Sequence, residues 1–213
     1  MESLLFPILA LLAAWAVGAL LTKMLIPALE KKQFKQFVRD EGPQSHLKKT
    51  GTPSMGGLAI ISASVICSVV FGLIAGEFSI CLAGVVIAMV LFGTIGFKDD
   101  YEKAIKKHND GLSAKQKIVM QFGFSLIFGV FAYFFSGGGV IESSAIWIPV
   151  FDWTINLGVL YVPFVMFVMI AFSNAVNLTD GLDGLASGIT ALVAFFMVIA
   201  SVSFGYADMP IVF

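Results

Sequence analysis

ICLAGVVIAMVLFGTIGFKDDYEKAIKKHNDGLSAKQKIVMQFGFSLIFGVFAYFF, residues 80–135, sets two long apolar runs on either side of one short charged window. Each run matches the ~20 residues that an α-helix needs to cross the hydrocarbon of a bilayer. The window between them, Lys98 to Lys117, holds six lysines. The other seven basic residues lie between Lys23 and Lys49, and none lies from Ile118 to Phe213. Acids are not sorted this way, since Glu2, Glu77, Glu142, Asp152 and Asp208 stand outside both windows. Short loops rich in Lys and Arg stay in the cytoplasm, so both basic windows are assigned to that face.

The rest of the chain fits the same reading. Of its 213 residues 58% are apolar and 13% charged, with a mean hydropathy of +0.93. An ordinary soluble domain carries about twice that share of charge. Disorder, a collagen-like chain and a disulfide scaffold are excluded by the same figures. The net charge of −1 gives no reason to expect nucleic acid. An all-α polytopic membrane protein with six transmembrane helices is therefore expected, as a single domain over residues 1–213. The spans are read at about 3–29, 56–76, 78–97, 116–136, 156–176 and 184–205. Alternation places the N-terminus outside and leaves cytoplasmic segments at 30–55, 98–115 and 173–184. The first span starts with Glu2, has no basic leader and is too long for a cleavable core, so it is read as a retained anchor. Cys67 and Cys81 lie in apolar runs without metal-ligand spacing and read as packing residues. The outer loop 137–155, rich in Ile, Val and Trp after Gly137-Gly138-Gly139, reads as a short strand pair or interfacial segment with Trp147 and Trp153 at headgroup depth.

The chemistry is concentrated in the three cytoplasmic segments. In the first, Lys31, Lys32 and Lys35 suit the anionic inner leaflet whatever the function. Lys48 to Gly57 is more pointed, because hydroxyls, Pro53 and paired glycines meet a helix start, where backbone N–H groups can approach a phosphate. It lacks the Gly-Lys-Ser/Thr order of a Walker loop. The second segment sets Asp99 beside Asp100 at the end of an apolar span. Two adjacent carboxylates are costly unless a cation offsets them. That cation is either Mg²⁺, which commonly joins carboxylates to substrate phosphates, or simply Lys98 and Lys103 on a solvated helix end. Ser113 is a candidate helix cap. The third segment, Asn174-Ala175-Val176-Asn177-Leu178-Thr179-Asp180-Gly181-Leu182-Asp183-Gly184, has two carboxylates and two amides between spans without a base. Thr179 or Asp180 capping the sixth span accounts for one of these residues and not for all four. Lysines, a glycine-rich turn and two carboxylate pairs on one membrane face suit Mg²⁺-assisted chemistry on a phosphate.

Asp99-Asp100-Tyr101-Glu102-Lys103 and the Asn174–Gly184 stretch resemble the two signature motifs of the polyprenyl-phosphate N-acetylhexosamine-1-phosphate transferases. Asp40-Glu41-Gly42-Pro43, Ser45-His46 and Gly51-Thr52-Pro53-Ser54-Met55-Gly56-Gly57 resemble the branch that acts on UDP-MurNAc-pentapeptide. The resemblance covers essentially the whole chain. It implies a bacterial plasma-membrane enzyme in which undecaprenyl phosphate attacks the β-phosphate of UDP-MurNAc-pentapeptide, forming lipid I and UMP with Mg²⁺ required. By that resemblance Asp99 activates the lipid phosphate, and Asp100 and Lys103 hold phosphates or metal. Lys117, or else Lys115, serves as a phosphate-binding base. Lys49, Ser54, Asn177, Asp180 and Asp183 line the uridine and ribose-phosphate pocket. Asp180 joins the catalytic set, and the metal set is Asp99, Asp100 and Asp180. A homodimer is implied as well. Family members have about ten spans, a third Asp in a later loop and a histidine-rich motif. This chain shows six spans, and His46 and His108 do not substitute for that motif, so it is expected to be part of a longer protein. The alternatives are a related transferase using another UDP-sugar, an ion-coupled transporter and a non-catalytic fragment.

Overall fold

A computed structural model describes residues 2–31, 53–106, 111–135, 144–148, 150–182 and 184–203. Six long helices dominate them: α1 (Glu2–Lys31), α2 (Gly57–Ala75), α3 (Ile80–Lys106), α4 (Ala114–Phe135), α5 (Tyr161–Thr179) and α6 (Leu185–Ser203). Between α4 and α5 lie strands β1 (Ala145–Ile148) and β2 (Trp153–Asn156) and a 3₁₀ turn, Gly158–Leu160. Among the described residues five helices are long and apolar enough to cross a membrane, and Leu185–Ile199 of α6 forms a shorter apolar helix where a sixth span is expected. The chain is thus an all-α, multi-pass membrane protein with a small two-stranded sheet.

Contacts divide it into two compact units, residues 1–120 and 121–213, with the boundary inside α4. In the first unit α1 packs on α2 and α2 on α3. The buried faces are built from small side chains: Ala59, Ala63 and Cys67 on α2, and Gly84 and Ala88 on α3. Lipid gives helices no hydrophobic reason to associate, so small residues that allow close backbone approach do that work. An example is Gly18 of α1, where a Cβ would lie 3.6 Å from that of Ala63. Large apolar side chains point away from these seams, as lipid contact requires; Trp15 is 75% exposed and Leu11 66%. Cys67 is buried and Cys81 half-buried. α2 ends at Gly76, whose φ of 71° lets its N–H and that of Glu77 return to carbonyls of the last turn.

α3 is longer than the apolar run that nucleates it. The run ends at Phe97, yet the helix continues through Lys98-Asp99-Asp100 to Lys106. Its buried face runs Gly84, Ala88, Ile95, Asp99, so the stripe that packs in the membrane leads directly to a carboxylate. A 27-residue helix is about 40 Å long, which exceeds the ~30 Å hydrocarbon core and leaves its last turns beyond it.

In the second unit α5 ends at Thr179, three residues beyond the span read from hydropathy, so Asn174 and Asn177 lie in its last turns. The expectation that Thr179 or Asp180 caps the sixth span is corrected. The Thr179 hydroxyl donates to the Ala175 carbonyl of its own helix at 2.8 Å, and Asp180 is the C-terminal cap of α5. Gly184, with φ +78°, precedes α6 and accepts from Gly188 N–H and Ser187 Oγ. The expected strand pair is an antiparallel hairpin with Trp147 opposite Thr154 and Ile148 opposite Trp153. Trp147 Nε1 donates to Asp152 Oδ1 at 2.9 Å across its turn.

Candidate functional site

The site in the first unit is centred on Asp99, which is only 7% exposed. Its two oxygens are fully engaged. Oδ2 accepts from Lys103 Nζ at 2.7 Å, four residues along the same helix face. Oδ1 accepts from Lys117 Nζ at 3.0 Å and from the Leu112 N–H at 2.8 Å. Two ammonium groups and a backbone dipole converge on one carboxylate, and each favours its ionised form. Lys103 also lies 3.6 Å from Asp100 Oδ1, so one cation serves both carboxylates. Of the two offsetting lysines considered from the sequence, Lys103 is therefore the one in place, while Lys98 is exposed. Lys117 adds a second cation from another helix.

Local sequence explains why these groups meet. Ser113 and Gln116 form a reciprocal cap at the start of α4. The Ser113 hydroxyl accepts from the Gln116 N–H at 3.3 Å, and Gln116 Oε1 accepts from the Ser113 N–H at 2.8 Å. That cap fixes the first turn of α4, from which Lys117 reaches Asp99. Before it, Gly111 lies so close that a Cβ would strike Asp99 Oδ1 and stand 2.8 Å from its Cγ and from its backbone oxygen. Only glycine fits there, and its closeness lets the next residue donate its N–H. The turn before α2 also reaches Asp100, which takes a backbone hydrogen bond from Met55. Met55 is 5% exposed and takes a φ of 69°, a backbone conformation uncommon outside glycine.

Several residues read from the sequence thus come together. Asp99, Asp100, Lys103 and Lys117 form one cluster, and Ser54, half-buried, sits beside Met55 in the turn that meets Asp100. Between Lys117 and Lys115, the former meets Asp99 and the latter is exposed. In the second unit Asn177 and Asp180 are exposed at the end of α5. Lys49 and Asp183 lie outside the described residues. Among the described residues no group of three or more His, Cys, Asp or Glu is placed to hold a metal ion. The residues that sequence reading overlooked are Gly111, Leu112 and Gln121. Asp110-Gly111 is a turn-forming dipeptide in sequence, but the carboxylate packed on Gly111 is twelve positions away.

The fold and this cluster define a class: a multi-pass membrane protein with a carboxylate near the end of its third helix caged by two lysines, one from that helix and one from the next. Comparison with known proteins narrows it. Residues 82–213 match the family described as Glycosyl transferase family 4, and the chain belongs to that family. It is 42% identical over 204 residues to a phospho-N-acetylmuramoyl-pentapeptide-transferase of Clostridioides difficile (strain 630), covering 94% of this chain and 60% of the relative. It is 45% identical over 181 residues to a protein of the same name from Staphylococcus aureus (strain bovine RF122 / ET3-1), covering 85% and 56%. A third, from Listeria welshimeri, is 43% identical over 186 residues, covering 85% and 56%. The chain thus spans about 60% of the length of the curated relatives it matches.

Proposed function

We propose that the chain is part of an enzyme that transfers phospho-N-acetylmuramoyl-pentapeptide from UDP-MurNAc-pentapeptide to undecaprenyl phosphate, forming lipid I and releasing UMP. The observation that carries this reading is the 42% identity, over 94% of the chain, to a relative named for that transfer. The names of the relatives favour this donor over another UDP-sugar, and a phosphotransferase over a transporter. The active face is cytoplasmic in this reading, because the Lys98–Lys117 window carries the cluster.

Each residue has a role in the proposal. Lys103 and Lys117 bind the phosphate of the lipid acceptor, whose oxygen attacks the β-phosphorus as the bond to UMP breaks. Asp99 activates that acceptor through them: by accepting from both ammonium groups at 2.7 and 3.0 Å it fixes two positive charges side by side. Asn177, Asp180 and Asp183 take the uridine and ribose-phosphate end, with Lys49, Ser54 and Lys115 as further substrate contacts. Electrostatic positioning of this kind supplies most of the catalysis in phosphoryl transfer.

Mg²⁺ belongs to the proposal, and the three candidate ligands do not suit it equally. Asp99 fits least, since three N–H donors already occupy its oxygens. Asp100, with Lys103 at 3.6 Å, and Asp180, exposed, keep oxygen atoms suited to a hard divalent ion. When bound, the ion neutralises charge on the transferring phosphates.

The test is Mg²⁺-dependent UMP release by membranes containing the complete protein, given UDP-MurNAc-pentapeptide and undecaprenyl phosphate. Joint replacement of Asp99→Asn and Asp180→Asn is expected to abolish it. Release that survives the double replacement, or solute flux without UMP, sinks the reading.

A further inference from the structure

Gln121 is a polar residue in the middle of α4, 4% exposed and flanked by Met120, Phe122 and Phe124. A buried amide in a membrane helix is expensive unless both its ends are bonded. Both are. Gln121 Nε2 donates to Ser173 Oγ at 3.3 Å, and Gln121 Oε1 accepts from Asn174 Nδ2 at 2.9 Å. Asn174 Nδ2 also donates to the Ile170 carbonyl, one turn back in α5, at 2.8 Å. The amides therefore join two helices and lock one of them to its own backbone.

The geometry points to Gln121 and Asn174 as positioning residues for the nucleotide end of the site: a two-ended amide clasp that sets the rotation and height of α5, and with them Asn177 and Asp180. This rests on the proposed function. Asn177 lies one helical turn past Asn174 on the same side of α5, and Asp180 is the C-terminal cap one turn further on. Both are exposed, so what holds them in place is the helix that carries them. At Gly129 a Cβ would lie 3.2 Å from the Val162 carbonyl, which permits close approach but specifies no register. A hydrogen-bonded amide does specify register, as a single buried Asn does in coiled coils.

The complete protein is compared as wild type, Asn174→Ala, Gln121→Ala and the exchanged pair Gln121→Asn with Asn174→Gln. Amide hydrogen exchange over residues 176–180 is expected to rise about tenfold in either single variant, with 161–170 protected as before. KM for UDP-MurNAc-pentapeptide is expected to rise about tenfold while kcat stays within about twofold, and the exchanged pair is expected to restore both. Unchanged exchange, unchanged KM in an active enzyme, or exposure of all of α5 together overturns the positioning role. So does an exchanged pair no better than the single variants. If the wild type releases no UMP, the functional reading fails on its own. The clasp is then decided by exchange and by calorimetric binding of UDP, where about tenfold weaker binding in Asn174→Ala supports it and equal binding overturns it.

Discussion

Replacing Asp99 by Asn removes a negative charge from the point where two ammonium groups converge and turns one acceptor oxygen into a donor. In the native cluster Oδ2 takes Lys103 at 2.7 Å, while Oδ1 takes Lys117 at 3.0 Å and the Leu112 N–H at 2.8 Å. Whichever way the new amide turns, its NH₂ faces at least one N–H donor. If it faces Lys103, that lysine keeps only Asp100 at 3.6 Å; if it faces Lys117 and Leu112, two partners are lost together. A hydrogen bond to a charged group contributes about 1.5–3 kcal/mol, and breaking a buried ion pair costs about 3–5. The lysine side chains are 37% and 27% exposed, so both can partly turn to water, which moves the figure toward the lower end. A loss of about 3 kcal/mol corresponds to a fall in Tm of about 6–12 °C for a chain of this size. Thermal unfolding in detergent, followed by tryptophan fluorescence, measures it. Adding Lys117→Met to Asp99→Asn closes a double-mutant cycle with an expected coupling of about 1–2 kcal/mol. A Tm within about 2 °C of wild type, or no coupling, refutes the caged-carboxylate geometry.

Two further outcomes follow from the same neighbourhood. Gly111→Ala places a methyl group against the Asp99 carboxylate and its backbone oxygen, neither of which is the free end of a flexible chain. It is expected to lower stability by about 1–3 kcal/mol and to lose part of that effect in an Asp99→Ala background, where the clash with the backbone oxygen alone remains, read again as Tm. Ser113→Ala removes one half of the α4 cap and is expected to cost about 1 kcal/mol, with faster amide exchange confined to residues 114–117.

The apolar runs and the sorting of lysines made the membrane architecture legible, because both are one-dimensional properties of the chain. Helix ends were less so. Hydropathy places the end of the third span at Phe97, whereas α3 continues nine residues to Lys106, since Lys103 and Lys106 pair with Asp99 and Glu102 one turn back and support the charged helix. The helix α5 outruns its hydropathic span for a related reason. Asn174 and Asn177 read as part of a polar segment, and the helix runs through them because it accepts an Asn whose side chain has partners; those of Asn174 are Ile170 in its own helix and Gln121, 53 positions away.

The carboxylate pair shows where sequence reading stops. Asp99 and Asp100 are neighbours of identical type, and their position in the chain left them as one carboxylate pair offset either by Mg²⁺ or by Lys98 and Lys103. Successive residues on a helix point about 100° apart, so adjacent side chains enter different surroundings. Asp99 falls in line with Gly84, Ala88 and Ile95 and is buried between Lys103, Lys117 and the Gly111 turn. Asp100 faces the turn before α2 and receives the Met55 N–H. In the proposed function an Asp whose oxygens are filled by three donors organises the lysines, whereas its half-exposed neighbour keeps oxygen atoms that suit a metal ion. The helical phase, with a glycine twelve residues on and a lysine eighteen residues on, divides the work between two residues that the sequence writes alike.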